Sequence, residues 1–583
     1  MADRIVRVNM KTLAIKEEPL PAKWAAFGGR AMTSAIVSEE VPPTCSPLGP
    51  DNKLVFAPGL LGGSSAPISG RISVGAKSPL TGTIKESNAG GQAAQIMARL
   101  GIRALVIEDK PEDASKLYTM ELRKGSVKLV ECPELKGLGN YDTVAKLIAK
   151  YGDKKVGYVS IGMAGEWGLT AASIACTDRE LRPTRHAGRG GLGAVMGSKG
   201  IKAIFCDDSE VSMREPANKD AFRDASRKFA KALKEHPVTG EGLPTYGTNV
   251  LQNIMNEAGG LPTRNFREGQ WSGASKISGE VQHDTILARG GEGKIAHGCH
   301  AGCVIQCSRI WVDKDGHYKT KGPEYETIWA HGTNCCIDDL DAIAEMDRLD
   351  DDIGLDTIEM GAAIGVAMEG GLAKFGDAAA AINLLKEVQK GTPLGRILGC
   401  GTDTMARCFG VSHVPTVKGQ AMPAYDPRAV QGIGVTYATT TMGADHTAGY
   451  AIATNILKVG GYVDPLKAEG QVDLSRNLQI ATAAVDSTGL CLFVAFAVLD
   501  KPEAFEAVYE MINGFYGLSL GANDVVELGK AVLTMEKKFN NAAGFTNAHD
   551  RLPDWMSTEK LSPHNTVFMV PDAELDQVFN FVT

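Results

Sequence analysis

Cys299, Cys303 and Cys307 recur every four residues, and a fourth cysteine, Cys491, follows far downstream in Asp486-Ser-Thr-Gly-Leu-Cys491. Four thiolates converging on one point hold a four-iron cluster, and a local run of three plus one remote cysteine is a common way to supply them. The same spacing also fits a helical stripe of small buried residues, because free cysteine packs as a small hydrophobe. Neighbours His297, Gly298, His300 and Gly302 weigh against a core helix. The vicinal pair Cys335-Cys336 reads as core or surface thiols, since adjacent thiolates rarely fit one cluster.

The segment carrying Cys491 has a second copy. Asp351-Asp-Ile-Gly354-Leu355-Asp356 repeats the pattern, with Asp356 standing where Cys491 stands. Each copy reads as a bend between two helices, and a new helix start leaves backbone N–H groups free for a ligand. Its Asp can accept hydrogen bonds from an amino-pyrimidinone edge. One such string would be an ordinary cap and turn; two copies beside one cluster point to a cofactor with two matching halves.

Other strings carry candidate chemistry. Gly188-Arg189-Gly-Gly-Leu-Gly193 spells a dinucleotide fingerprint, yet a charged stretch precedes it and only a few residues separate it from the next strand, so a nicotinamide site is rejected. Arg182, Arg185 and Arg189 around it still suit an anion. Gly70-Arg71 to Gly82, then Glu86-Ser-Asn88-Ala-Gly90-Gly91, reads as a hairpin feeding a helix start, open to a phosphate or a cation. Glu324 and Glu326 lie just beyond the cysteine run, Asp445-His446 stands before the second bend, and Pro423-Ala-Tyr425-Asp-Pro-Arg428 is a turn by composition.

These residues need a large scaffold. At 583 residues the chain exceeds one core, and about 150 residues per domain suggests two to four domains. Net charge of −8 argues against nucleic-acid and anionic-membrane partners. No long apolar run or secretory signal is visible, and twelve scattered cysteines do not form a disulfide framework, so the expected location is cytoplasmic. Residues 1–208 read as strand-rich, with short runs such as Lys53–Ala57 and Arg103–Glu108 between Gly/Pro connectors and a helix over Ala89–Leu100. From 209 onward helical periodicity dominates, and the Gly/Pro/Thr-rich stretch Arg396–Pro427 divides this half. The predicted fold class is α+β: an N-terminal β-sheet base (1–208), a helical domain with the cysteine run and first bend (209–412), and a helical domain with the second bend and fourth cysteine (413–583), the cofactor at their junction.

Taken together, the paired bends, Ala187-Gly-Arg-Gly-Gly-Leu-Gly-Ala-Val-Met-Gly-Ser-Lys199, Gly322-Pro-Glu-Tyr-Glu326 and Pro423–Arg428 resemble the tungsten-dependent aldehyde:ferredoxin oxidoreductase family over most of the chain. The resemblance implies a bis-pterin tungsten cofactor (tungstopterin, or its molybdenum counterpart), a [4Fe-4S] cluster on Cys299, Cys303, Cys307 and Cys491, and a β-sheet base under two helical domains. It implies that Asp351, Leu355 and Asp356 contact one pterin and Asp486, Leu490 and Cys491 the other. Arg71, Gly90, and Arg185 or His186 would bind phosphates, beside the Ala187-Gly188-Arg189 loop. Asn88 and the Ala187 carbonyl would hold a magnesium ion.

The resemblance further implies oxidation of an aldehyde to a carboxylic acid, with Glu326 and His446 at catalytic positions and Tyr425 nearby. A carboxylate can accept a proton as water attacks, and an imidazole can polarise the carbonyl or shuttle that proton. Electrons would leave to ferredoxin or an iron–sulfur subunit, with a flavin/NAD subunit required where NAD is the acceptor; an oligomer or hetero-oligomer is expected. The alternative on the same fold is a tungsten-dependent reductase of aromatic acyl-thioesters, which has less use for a carbonyl-activating pair. One departure stands out. Glu345 matches a position that, in some members, ligates an iron between subunits through Glu-x-x-His, but Met346-Asp347-Arg348 follows here, so that iron is not expected.

Overall fold

The computed structural model describes residues 3–582. The first half is two six-stranded sheets. Strands β1 (Arg4–Asn9), β2 (Ala14–Pro19), β3 (Leu54–Pro58), β4 (Ile72–Lys77), β5 (Ile84–Ala89) and β6 (Ile102–Glu108) form one, in the order β2-β1-β6-β3-β4-β5. Strands β7 (Tyr118–Arg123), β8 (Ser126–Glu131), β9 (Val156–Ser160), β10 (Ile174–Cys176), β11 (Arg185–Ala187) and β12 (Ile201–Asp207) form the other, in the order β11-β10-β9-β12-β7-β8. Read from the opposite edge, the second order repeats the first strand for strand. The directions repeat too: β1 runs parallel to β6 and β7 to β12, and all other pairings are antiparallel. Val6, Phe56, Ile72 and Leu105 of one sheet share a core with Met120, Val159, Ile174 and Ile204 of the other. The other face of the first sheet is buried too, with Ile5, Val55 and Val106 packed on Met32 and Ile36, and burial on both faces explains why its central strands read as near-continuous apolar runs.

The second half is mainly helical, as its periodicity predicts. Each bend is a helix–turn–helix start. Helix Leu340–Ile353 begins where Asp339 accepts from the Asp341 and Ala342 N–H groups and ends at Gly354, with φ of +81°. Helix Gln471–Thr488 ends at Gly489, with φ of +85°. A glycine in this left-handed conformation closes a helix at no Cβ cost, which fixes where both bends turn.

Three local expectations change. The segment Ala89–Leu100 is helical only over Ala93–Arg99, because Ala89 still pairs with Ile72 at the end of β5. Arg396–Pro427 contains helical residues within Pro393–Gly399 and the helix Thr402–Phe409, as well as loop. A three-stranded sheet of β13 (Lys294–His297), β14 (Ser308–Val312) and β15 (Tyr318–Gly322) interrupts the helical half. The cysteine run is the irregular loop joining β13 to β14, so its four-residue spacing is not helical.

Candidate functional site

A cavity of about 390 Å³ lies where the two sheets meet the helices, within the ~300–1,000 Å³ usual for cofactor sites. Each bend reaches it in the grip of a different sheet. The Ser173 N–H, just before β10, donates to the Gly354 carbonyl (2.9 Å), and the Asp356 N–H to Ala171 O (3.0 Å). The counterpart contacts run from the Arg71 N–H, just before β4, to Gly489 O (3.1 Å), and from the Cys491 N–H to Ile68 O (3.2 Å). The sheets press so closely that a Cβ on Gly162 would lie 2.1 Å from Ile353 O, and one on Gly59 2.0 Å from the Gly489 nitrogen.

Cys299, Cys307 and Cys491 open onto the same cavity, and Cys303 hydrogen-bonds Cys299 from outside it. That hydrogen bond, with Arg185 and Arg71 nearby, holds the Cys299 thiol well below its usual range and its partner Cys303 above, while burial pushes the Cys307 and Cys491 thiols up. Thiolate character is what an iron ligand requires. Sγ of Cys299 and Cys303 also lie with a ring nitrogen of His300 within 4.8 Å of one another. The donor set therefore fits an iron–sulfur cluster.

The Asp-bearing ends of the bends differ in charge. Asp351 accepts from Lys321 Nζ at 2.7 Å on both oxygens and sits 3.2 Å from His186 Nε2. Burial alone would raise its pKa, but Lys321 and His186 hold it at about 2. Lys321 also bonds Asp347 at 2.7 Å. Asp486 faces Arg30 at 3.4 Å; burial, with the nearby Glu86, pushes it up to about 8 against that attraction. Asp356 caps helix Thr357–Glu369 through the Ile358 N–H (3.0 Å) and pairs with Arg189 Nε (3.2 Å). Arg189 is further held by the carbonyls of Ala421 and Ala444, both at 2.6 Å.

Arg71 donates to both the side-chain and backbone oxygens of Asn88, and the Arg185 guanidinium reaches Ser308 Oγ at 2.8 Å while its buried Nε has no partner. Buried guanidiniums beside a cavity suit phosphate. Gly90 and Gly188 bring backbone to the wall. His186 Nδ1 meets Ser173 Oγ at 2.7 Å. Leu355 lines the cavity, whereas Ala187 and Leu490 lie buried behind it, Ala187 paired with Ile174 and Leu490 in the core with Leu60 and Ile68.

Glu326 and His446 meet on the remaining wall. Glu326 stands in the first turn of helix Tyr325–His331 and His446 in the loop after Met442. Oε1 and Nε2 are 3.3 Å apart, and Glu326 Oε2 accepts from the Ala424 N–H (3.1 Å). Burial pushes Glu326 up to about 8 and His446 down to about 4, the Asp445 charge opposing the fall at the imidazole and Arg189 and Lys85 assisting it. Among the described residues Glu326 Oε1 and His446 Nδ1 have no well-formed hydrogen-bond partner, although the Tyr425 hydroxyl lies near enough to the carboxyl to favour its ionised form. The Tyr425 hydroxyl lies 2.8 Å from that of Tyr450, and both rings flank His446. Glu345 is tied to Lys319, and Arg348 stacks 3.2 Å from the Tyr141 ring centre, so the Glu-x-x-x string is spent on local contacts.

Sequence reasoning missed Lys321, Arg30, Lys85 and Tyr450 as cavity neighbours, and Gly59 and Gly162 as bend supports. Lys321 stood one residue before the Gly322-Pro-Glu string and Arg30 directly after Gly28-Gly29, which was the available signal.

A doubled β base under helices, with three thiols and an acid–imidazole pair around one cavity and a fourth thiol bonded behind them, defines a cofactor-dependent oxidoreductase. The chain belongs to the aldehyde ferredoxin oxidoreductase family. The family's N-terminal domain model matches residues 5–208, and its model for domains 2 and 3 matches residues 224–580. Relatives named tungsten-containing aldehyde ferredoxin oxidoreductase are 34% identical in Pyrococcus furiosus (94% of this chain, 90% of the relative) and 35% identical in Pyrococcus abyssi (96% and 92%). The BamBC active-site complex of benzoyl coenzyme A reductase, solved with 1,5-dienoyl-CoA, superposes with a TM-score of 0.81 at 17% identity, over 99% of this chain and 93% of that one. That likeness concerns the fold alone.

Proposed function

We propose that the protein oxidises aldehydes to carboxylic acids at a bis-pterin tungsten centre and passes the electrons through a [4Fe-4S] cluster to ferredoxin or an iron–sulfur subunit. The observation that carries this reading is that the Glu326–His446 pair and three of the four thiols open onto one cavity between the two bends. Asp351, Leu355 and Asp356 would hold one pterin, and Asp486, Leu490 and Cys491 the other. Arg71, Gly90, Arg185 and His186 would meet phosphates beside Gly188 and Arg189, with magnesium between Asn88 and the Ala187 carbonyl. When bound, the metal centre supplies two-electron oxidation and the cluster one-electron transfer.

The chain's own part is proton handling and exclusion of water. At neutral pH His446 is unprotonated and Glu326 carries its proton. Oε2 accepts from Ala424, which leaves the acid proton on Oε1, free to donate to an aldehyde oxygen. His446 Nδ1 has no partner and can take the proton of the adding water. Nε2 is 3.3 Å from Oε1, so the imidazolium can hand its Nε2 proton to the Glu326 carboxylate, and exchange of the proton left on Nδ1 with water then resets the imidazole tautomer. Tyr425 and Tyr450 wall the pair from bulk solvent. Pair chemistry of this kind contributes about 10²–10⁴-fold.

The test is anaerobic reduction of a viologen dye with a panel of aldehydes, alongside tungsten, molybdenum, iron and pterin analysis. Aldehyde-dependent reduction with one group-6 metal and about four irons per chain is expected. Metal-replete protein that reduces no dye with any aldehyde would overturn the reading.

A further inference from the structure

Tyr450 has two working faces. Its hydroxyl meets that of Tyr425 at 2.8 Å and its ring centre lies 6.0 Å from that of His446. On its other side the ring meets Phe496 edge-on at 6.1 Å, and Phe496 stacks with Phe493 at 6.2 Å. Beyond Tyr450 lies a second cavity of about 40 Å³, which shares Tyr450, Leu492 and Phe493 with the main one. Two facing stripes build it. Leu478, Thr482 and Val485 come from helix Gln471–Thr488, and Phe493, Phe496 and Leu499 from the turn and short helix after Cys491. Both sets follow the three-to-four-residue spacing that puts side chains on one helical face. Among the described residues no charged side chain lines this annex; the hydroxyls of Tyr450 and Thr482 are its polar side-chain groups. Exposed Ala481 and half-buried Leu499 also line it, which leads the annex toward solvent.

A polar reacting pair beside an apolar recess suits a ligand with a polar head and a hydrocarbon tail. A carboxylate or phosphate on that tail would be buried unpaired, at large cost. We infer that this annex is the substrate-tail subsite: it takes aldehydes bearing a short uncharged chain and discriminates against those with an anionic tail. The inference rests on the aldehyde-oxidising reading, with the carbonyl at Glu326 and His446 and the tail passing Tyr450. The annex's small size limits tail length.

The test compares kcat/KM for acetaldehyde, butanal, octanal and 4-oxobutanoate, using metal-replete wild type, Thr482→Phe, Ala481→Phe and Leu478→Ala. Wild type should prefer butanal to acetaldehyde by about tenfold or more, since one methylene in an apolar pocket is worth roughly 10- to 200-fold. 4-Oxobutanoate, of butanal's length with a carboxylate at the tail end, should be the poorest substrate. Thr482→Phe should lower the butanal-to-acetaldehyde ratio about tenfold while acetaldehyde stays within about twofold of wild type. Leu478→Ala, which only removes atoms, should move the optimum toward octanal; with Ala481→Phe it keeps the test decisive should Thr482→Phe misfold. A flat chain-length series, or equal losses for both short aldehydes at unchanged metal content, would sink the subsite. No turnover of any aldehyde by metal-replete wild type would instead sink the parent reading.

Discussion

At the residue scale the site is a set of charges placed against their solution preferences. A carboxyl held at about 8 and an imidazole held at about 4 leave a window in which the pair carries one transferable proton. The expected pH profile of kcat/KM is a bell: activity falls below about 4 as His446 protonates, and above about 8 as Glu326 ionises. Glu326→Gln should flatten the alkaline limb and lower kcat/KM about 10²-fold or more, and His446→Asn should remove the acid limb. An alkaline limb that persists in Glu326→Gln would assign it to another group. Lys321 offers a second test. It neutralises Asp347 and Asp351 together, so Lys321→Met leaves two buried carboxylates facing each other, a loss of about 3–5 kcal/mol. Thermal unfolding should show the deficit shrinking on acidification, because Asp347, already raised to about 6, takes up a proton first. The cysteines stood out in the sequence by type and spacing, whereas Glu326 and His446 were singled out only through the family resemblance of the strings that carry them. Lys321 was not, because its value depends on Asp347 and Asp351, which reach it only through the packing of β15 on helix Leu340–Ile353.

At the element scale the two bends are held because the residue just before a strand of each sheet donates to one of them. Gly59→Ala and Gly162→Ala would drive a methyl into backbone 2.0 and 2.1 Å away, whereas a Cβ on Gly521 meets nothing within 4 Å. Overpacking of this kind costs at least about 1–3 kcal/mol. Both variants should lose bound pterin and melt early, while Gly521→Ala stays within about 0.5 kcal/mol of wild type. Wild-type pterin content in Gly59→Ala would mean that the bend tolerates displacement. Periodicity made most helices legible, and the Asp-x-x-Gly-Leu strings located both bends. The doubling of the N-terminal sheets was not legible, because β1–β6 and β7–β12 share strand order and direction but little residue identity. The cysteine run carried a helical spacing onto a loop because three metal ligands need convergence, which a loop supplies without 3.6-residue periodicity.

At the scale of the whole molecule, buried ion pairs tie the base to the helices. Arg30 joins the first long helix (Gly29–Glu40) to Glu536 at 2.8 Å and to Asp486, so the N-terminal segment and the last long helix meet beneath the second bend. Asp486 and Glu326 are both raised to about 8 in the folded chain. A carboxyl whose folded pKa exceeds its unfolded value stabilises the fold fully only below the unfolded pKa, and that contribution drains away as pH climbs to the folded one. Cofactor-free protein should therefore lose stability steadily from about pH 4 to about pH 8. An Asp486→Asn, Glu326→Gln double variant should flatten that slope in chemical denaturation, and an unchanged slope would place the proton uptake elsewhere.

The twin sheets carry one more implication. Equivalent strand positions hold Arg71 on one side and Ser173 on the other, and the matching ends of the bends are Cys491 and Asp356. A symmetric chassis has thus been given unlike poles, sulfur flanked by guanidinium at one and carboxylate at the other. Were a redox centre held midway between them, the sulfur pole alone would offer its electrons a conducting exit.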